Sequence, residues 1–308
     1  MFGPFSAGDS LRVYRLQRKG VSLDLRRDLT QPATPLREAW LAFLSQQAMG
    51  QPTYVLHDLQ DGEGFVQISY RPHQAAADVA FLAPALDESL LAASAWARLL
   101  DGAGVEAASR GIQRVFANLP ESGPEVDVFQ QAGFTLYAGE DIYRLPQLPE
   151  ERHQDGPLPV RDQRPEDWPA VQKLCVAVTP QRVRQTEGGI AYTGSREKNC
   201  QRYVLPGGNG NDVAAALTLC SGGQAHWMRV LVHPGAKDTV DGLIRWALSA
   251  LVGLPSRPVY CNVRQYEGGV RAALEAAGFE PYATRALVVK PTLAWSKTPA
   301  HELAPALA

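Results

Sequence analysis

Apolar residues along this chain fall into two rhythms, and the order of those rhythms repeats. Trp40, Phe43 and Leu44 lie three and four apart and share one side of a helix predicted from Pro35 to about Met49. The rhythm then shortens to strands at 52–58, 64–70 and 78–83. The first two are joined by Asp61-Gly62-Glu63-Gly64, a hairpin signal. A helix over about 89–109 turns Trp96, Leu99, Leu100, Ala103 and Ala107 inward, with Gly102 and Gly104 weakening it. A strand at 113–119, a short helix around 124–132 and a strand at 134–144 follow. The second half runs through the same order. A helix opens at Asp167-Trp168-Pro169 and reaches Val178, and strands fall near 201–205, 212–219 and 226–232. A helix at 240–252, a strand at 258–263, a helix at 268–277 and a strand at 279–290 close it. The pattern predicts an α/β fold in which each half contributes a mixed, mostly antiparallel sheet with helices on its faces.

Particular residues repeat as well as rhythms. Ala-Gly-Phe-Thr-Leu-Tyr-Ala at 132–138 returns as Ala-Gly-Phe-Glu-Pro-Tyr-Ala at 277–283. Each is preceded by an apolar run ending in asparagine and one apolar residue, Val115 to Leu119 and Val259 to Val263. Further upstream, Phe81-Leu82-Ala83-Pro84 matches Leu231-Val232-His233-Pro234, and each is followed by a tryptophan-bearing helix, with Trp96 or Trp246. The period of about 145–150 residues is far longer than that of a solenoid repeat. Two domain-sized units are therefore expected, 1–147 and 158–292, with a flexible tail at 293–308. The Pro-rich stretch 146–159 between the units reads as an extended linker.

Composition narrows the function. A net charge of −2 over 308 residues gives no global field to attract nucleic acid or anionic lipid. No apolar run is long enough to span a bilayer, and Met1-Phe2-Gly3-Pro4 does not start a signal peptide. Cys175, Cys200, Cys220 and Cys261 have no close spacing, so they are expected to be reduced, buried and cytoplasmic. The six histidines, His57, His73, His153, His226, His233 and His301, form no metal-binding pair, and no Gly-x-Ser-x-Gly nucleophile motif occurs.

The order of elements, with Gly-Phe after a short helix in both halves, resembles the GCN5-related N-acetyltransferase (GNAT) superfamily over roughly 10–145 and 159–290. The resemblance implies two tandem acyl-CoA N-acyltransferase domains with acetyl-CoA as co-substrate. In that family the cofactor lies in a splay between two central strands. Its pantetheine arm pairs with backbone, and its pyrophosphate rests on a glycine-rich loop at a helix start, where free N–H groups and the helix dipole hold the charge.

The two halves differ at that loop. The first offers Pro84-Ala85-Leu86-Asp87-Glu88-Ser89, acidic and without glycine, and reads as a plain helix start that does not bind the cofactor. The second offers Pro234-Gly235-Ala236-Lys237-Asp238-Thr239. It reads either as a turn capped by Asp238 or Thr239 or as a half-formed phosphate loop. The candidate cofactor contacts are thus Leu231, Val232, Gly235, Lys237 and Thr239. The position that the family often gives to a proton-donating tyrosine holds Phe129 in one half and Leu274 in the other, so no catalytic residue is assigned. Tyr266 and Glu267 fall near the second splay, as solvated loop residues or as part of it. Tyr137 and Tyr282 recur at matching positions, which argues for packing. The expected activity is acyl transfer to a small-molecule or peptide amine, without nucleic acid, membrane or metal. The alternative is a non-catalytic pseudo-acetyltransferase acting as a scaffold or ligand-binding module.

Overall fold

The computed structural model describes residues 1–32, 34–57, 62–72, 74–148, 158–188, 199–208 and 212–292. Most of the expected linker, the tail at 293–308, Asp61 of the predicted hairpin turn and His73, His153 and His301 lie outside the described residues. The first half runs β1 (Phe2–Pro4), α1 (Ser10–Leu16), β2 (Val21–Ser22), α2 (Leu25–Thr30), α3 (Pro35–Leu44) and β3 (Thr53–His57). It continues through β4 (Glu63–Tyr70), β5 (Ala76–Ala83), α4 (Ala92–Ser109), β6 (Arg114–Pro120), α5 (Glu125–Gln131) and β7 (Thr135–Leu145). The second half runs β8 (Arg161–Asp162), α6 (Trp168–Val178), α7 (Gln181–Glu187), β9 (Cys200–Pro206) and β10 (Val213–Ser221). It closes with β11 (His226–Val232), α8 (Val240–Leu251), β12 (Val259–Arg264), α9 (Gly268–Ala276) and β13 (Glu280–Pro291). The α/β order predicted for each half is present. Beyond it, the structure adds β1, α1, β2 and α2 ahead of the first predicted helix.

One sheet carries everything, in the order β1-β3-β4-β5-β6-β13-β7-β12-β11-β10-β9-β8, with β2 joined to β5 off this path. The last strands of the two halves are exchanged. β13 runs antiparallel to β6 of the first half as well as to β7, and β7 runs antiparallel to β12 of the second. The cores follow the exchange. Val288 of β13 is buried with α4 and α5 in the first core, while Tyr143 and Leu145 of β7 are buried with α8 and α9 in the second. Alternate residues of each strand face opposite sides. Leu56, Val66 and Leu82 therefore meet α4, whereas Val55, Phe65 and Ala83 meet α1 and α3. Likewise Met228 and Val230 meet α8, and Leu231 meets α6.

The twin Ala-Gly-Phe segments prove to be helix stops. Gly133 and Gly278 both take φ of 86°, a left-handed conformation that favours glycine. The N–H of Gly133 donates to Gln130 and that of Phe134 to Phe129, and Gly278 and Phe279 repeat this on Glu275 and Leu274. This is the Schellman pattern, in which the residue after glycine also packs on the third-last helical residue. The Phe134 and Phe129 rings do so, with centroids 4.8 Å apart. Phe129 and Leu274, each 0% exposed, are thus committed to packing.

Two local expectations are corrected. α3 ends at Leu44 and buries Glu38, Ala39 and Ala42, leaving Phe43 46% and Leu44 72% exposed. Gly102 leaves α4 intact because the Phe2 ring packs where its side chain would be, within 2.7 Å of an added Cβ.

Candidate functional site

In each half two parallel strands start side by side and then part, and the two gaps hold different things. β5 and β6 pair only from Ala76 to Asp78 against Arg114 to Phe116. Beyond that point the freed edge of β5 is taken by the chain itself. Val21 pairs with Leu82 and Ser22 with Phe81, the Leu23 N–H donates to Ala80 O at 2.8 Å, and the Ala85 N–H donates to Lys19 O at 2.5 Å. Gly20 permits this insertion, since a Cβ there would lie 2.3 Å from the Phe81 ring and 2.7 Å from Leu82 O. In the acidic loop that follows, Glu88 pairs with Lys19 at 3.0 Å. The first splay is closed along β5.

β11 and β12 pair from His226 to Arg229 against Val259 to Asn262 and then diverge. The His233 N–H donates to Ala214 O and the Gly222 N–H to Ala225 O, which fixes the parity of the β10–β11 ladder. By that parity the main-chain groups of Leu231 face Ala216 on β10, while those of Val230 and Val232 face the splay. Among the described residues no strand pairs with this edge beyond Arg229. Of the two backbone candidates, then, Val232 presents its N–H and C=O to the gap and Leu231 presents its side chain to α6.

At the fork of the second splay lies an ion pair. Arg229 Nη1 and Nη2 reach Glu267 Oε2 and Oε1, both at 2.5 Å, and Nη1 also donates to Asn262 O at 3.1 Å and Val230 O at 3.3 Å. The two side chains are only 17% and 3% exposed. Burial pushes the Arg229 guanidinium down, but the charge and hydrogen bonds of Glu267 outweigh it and hold the group above its ordinary value. Glu267 also accepts the Arg264 N–H at 3.1 Å. Tyr266 beside it is half-buried, and desolvation raises its phenol, so it stays protonated at neutral pH.

The loop candidates are brought together in one turn. Pro234–Thr239 forms a short 3-10 segment leading into α8. The Gly235 N–H is already used, donating to His233 Nδ1 at 3.1 Å, and Thr239 Oγ1 donates to Ala236 O at 2.7 Å. Gly235 has no left-handed backbone, and an added Cβ would meet only the His233 ring, 3.3 Å away. The Lys237 stem passes the start of α9, its Cγ 3.6 Å from where a Cβ on Gly269 would lie.

A polar network not foreseen from sequence joins the halves. The twin asparagines converge on one carboxylate: Asn262 Nδ2 donates to Glu140 Oε1 at 2.8 Å, and Asn118 Nδ2 to Oε2 at 3.4 Å. Arg264 Nε reaches Glu140 at 3.2 Å, and its Nη2 reaches Glu187 at 3.1 Å. Tyr137, read from sequence as a packing residue, donates to Glu187 at 3.1 Å, while Tyr282 is exposed beside Tyr260. Glu140 and Arg285 occupy equivalent repeat positions and sit opposite each other in the β7–β13 ladder. Arg285 Nε donates to Asn118 Oδ1 at 2.7 Å, and burial lowers its guanidinium to about 10, opposed by the charge of Glu140. The recurring Asn was the available signal, but its partner lies on a strand paired only by the exchange.

The expectation of four reduced cysteines is corrected. Cys200 and Cys220 form a disulfide between β9 and β10, with Cα atoms 4.0 Å apart. The Ser221 N–H bonds Asn199 O, so the neighbouring pair Cys200–Cys220 is a non-hydrogen-bonded pair, where opposite side chains approach most closely. Arg26 of α2 donates to both sulfurs, at 3.3 and 2.9 Å. Cys175 and Cys261 are free and buried.

No protein-family model and no curated protein matches the chain. Solved structures do. A GCN5-related N-acetyltransferase from Sphaerobacter thermophilus aligns at a TM-score of 0.53 and 13% identity, over 94% of this chain and 95% of that one. A tandem GNAT protein from the clavulanic acid biosynthesis pathway aligns at 0.51 and 14% identity, over 94% and 98%. No helix among the described residues is long and apolar enough to cross a membrane.

Proposed function

We propose that this chain, which has the fold of the tandem GNAT acetyltransferases, is an acyl-CoA-dependent N-acyltransferase whose working site is the second splay. The observation that carries the reading is the uncovered β11 edge beyond Arg229, set against the β5 edge that β2 occupies. In this reading Val232 pairs through its backbone with the pantetheine arm of acetyl-CoA. The turn from Gly235 to Thr239 faces the pyrophosphate, with Lys237 supplying positive charge and Asp238 limiting affinity. Transfer requires an amine to lose a proton and attack the acyl carbon, and the departing thiolate to gain one. In this reading Tyr266, protonated and next to Glu267 in sequence, gives that proton, since position 274 holds a leucine. The Arg229–Glu267 pair holds the strands apart by capping the carbonyls of Asn262 and Val230.

Titration calorimetry with acetyl-CoA tests this reading. One site per chain is expected, with affinity falling about tenfold or more in Gly235→Asp, where a carboxylate meets the phosphates. Two equal sites, or no heat at millimolar ligand, would reject it. The buried ion pair at the fork favours a second reading, a non-catalytic pseudo-acetyltransferase. Binding without turnover over a panel of amines would select that one.

A further inference from the structure

The first splay is closed along β5 but not filled to its base. β2 covers β5 from Ala80 onward. Below it lies a cavity of ≈ 240 Å³, walled by Asp24, Ser69, Asp78, Asn118, Glu140 and Trp227 among others. At ~30 Å³ per water that is room for about eight waters. The lid of this cavity, from Leu23 to Arg26, comes from the inserted segment and α2. Its far wall, Trp227, comes from the second half.

The charges around the cavity do not balance. Asp78 is held by Arg71 through two bonds of 2.6 and 2.7 Å, and Glu140 by Arg264 and Asn262. Arg26 also lines the cavity but turns its guanidinium to the disulfide sulfurs, and Arg27 is paired with Glu38 at 2.8 Å. Asp24 is left over. Its Oδ1 accepts only the Arg27 N–H at 3.1 Å, and among the described residues its Oδ2 has no hydrogen-bond or ion-pair partner. Desolvation raises its carboxyl above the ordinary value, the nearby Asp78 adds to this, and the Arg27 N–H with the Arg27 and Arg26 charges opposes it. A half-buried carboxylate that lines a cavity, with one oxygen unpartnered among the described residues, is short of a cation. The described residues contain no cluster of three His, Cys, Asp or Glu groups able to hold a metal ion. Hydrogen-bond acceptors next to an indole instead suit an organic cation.

We propose that this cavity binds a small primary ammonium compound, its head group on the Asp24 carboxylate and its carbon skeleton against Trp227. The site is non-covalent. It lies at the base of the splay whose β5 edge is covered, between the two halves, and it does not rest on acyl transfer in the second half. An ammonium pairs with the ionised form of Asp24, so affinity rises as pH climbs through the Asp24 titration. The charged groups around that carboxyl are Arg26, Arg27 and Asp28 of α2, Asp78 with Arg71 at β5, Glu140 of β7 and, behind Arg27, Glu38 of α3.

The test is calorimetry on the full chain with n-butylammonium as probe and 1-butanol as its neutral counterpart. The ammonium is expected to bind one site per chain and the alcohol to give no heat. Asp24→Asn keeps an N-cap for α2 while removing the charge, and should weaken binding about tenfold or more. Ala80→Leu places bulk in the cavity without changing charge and should weaken it comparably. The pH dependence is read on the unsubstituted chain by repeating the titration at a series of pH values from acid to neutral, which keeps the test independent of how the variants fold. Equal affinity for the alcohol, full affinity in folded Asp24→Asn or Ala80→Leu, or affinity that does not rise from acid to neutral pH would each overturn the proposal. So would the absence of any ammonium binding. The acetyl-CoA titration is read separately, so either result stands without the other.

Discussion

The two splays descend from the same strand order and have been closed in opposite ways. In the first, backbone fills the gap: β2 adds to β5 as an extra strand, and a glycine lets it approach. In the second, side chains brace the gap: Arg229 caps two carbonyls and Glu267 neutralises it, and among the described residues no strand pairs with Val232 beyond them. A strand insertion satisfies the main-chain groups of β5 along its whole freed edge and leaves none there for another extended chain to pair with. An ion pair at the fork satisfies only the first carbonyls and leaves the outer edge open. The loops that leave these strands also differ in content, with Asp87 and Glu88 in the first half and Gly235 and Lys237 in the second.

The largest expected effect strikes the brace. Glu267→Gln leaves Arg229 buried without its counter-charge and should lower stability by about 3–5 kcal/mol, whereas replacing both partners with apolar residues should recover most of it. Denaturant unfolding of the single and double variants measures this. A loss under about 1 kcal/mol in the single variant would show that the pair does not hold the fork.

Next comes the strand insertion. Gly20→Leu drives a side chain into Phe81 and Leu82 O and should cost about 2–3 kcal/mol. Gly235→Ala, against the His233 ring alone, should stay within about 0.5 kcal/mol. Equal losses at the two glycines would erase the contrast between a filled gap and an open one.

The smallest effect concerns thiols in the second half. Burial pushes Cys175 and Cys261 up to about 12 from 9. An acid whose folded value is raised keeps its proton in the native state while the unfolded chain loses it. Stability is therefore full below about pH 9 and falls as pH rises toward 12, by on the order of 1 kcal/mol per thiol at pH 10. Unfolding at pH 8 and pH 10 reads the slope. Native protein at pH 8 should show almost no reaction with a thiol reagent, and reduction should then expose the Cys200–Cys220 pair.

Most of the elements were legible because each is set by neighbours within one turn or one strand. The Ala-Gly-Phe pair was legible as a repeat, and its cause, a left-handed glycine ending a helix, is equally local. The features that decide the site are not local. β2 is two residues long and carries no periodicity. Cys200 and Cys220 meet only through the register of β9 on β10, and Asn118, Asn262 and Glu140 meet only because β7 and β13 change places. Phe43 and Leu44 satisfied the helical spacing but lost the core to smaller Ala39 and Ala42.

The exchange of β7 and β13 also bears on how the chain comes off the ribosome. β6 ends at Pro120, and the partner that covers it, β13, ends at Pro291. At roughly 5–20 residues per second, about ten to thirty seconds of synthesis separate the two. Throughout that time the main-chain groups of β6 that pair with β13 lack that partner, and an unpaired strand edge is the kind that recruits a strand from another chain. Until β13 is made, the first half therefore carries a strand edge open to association.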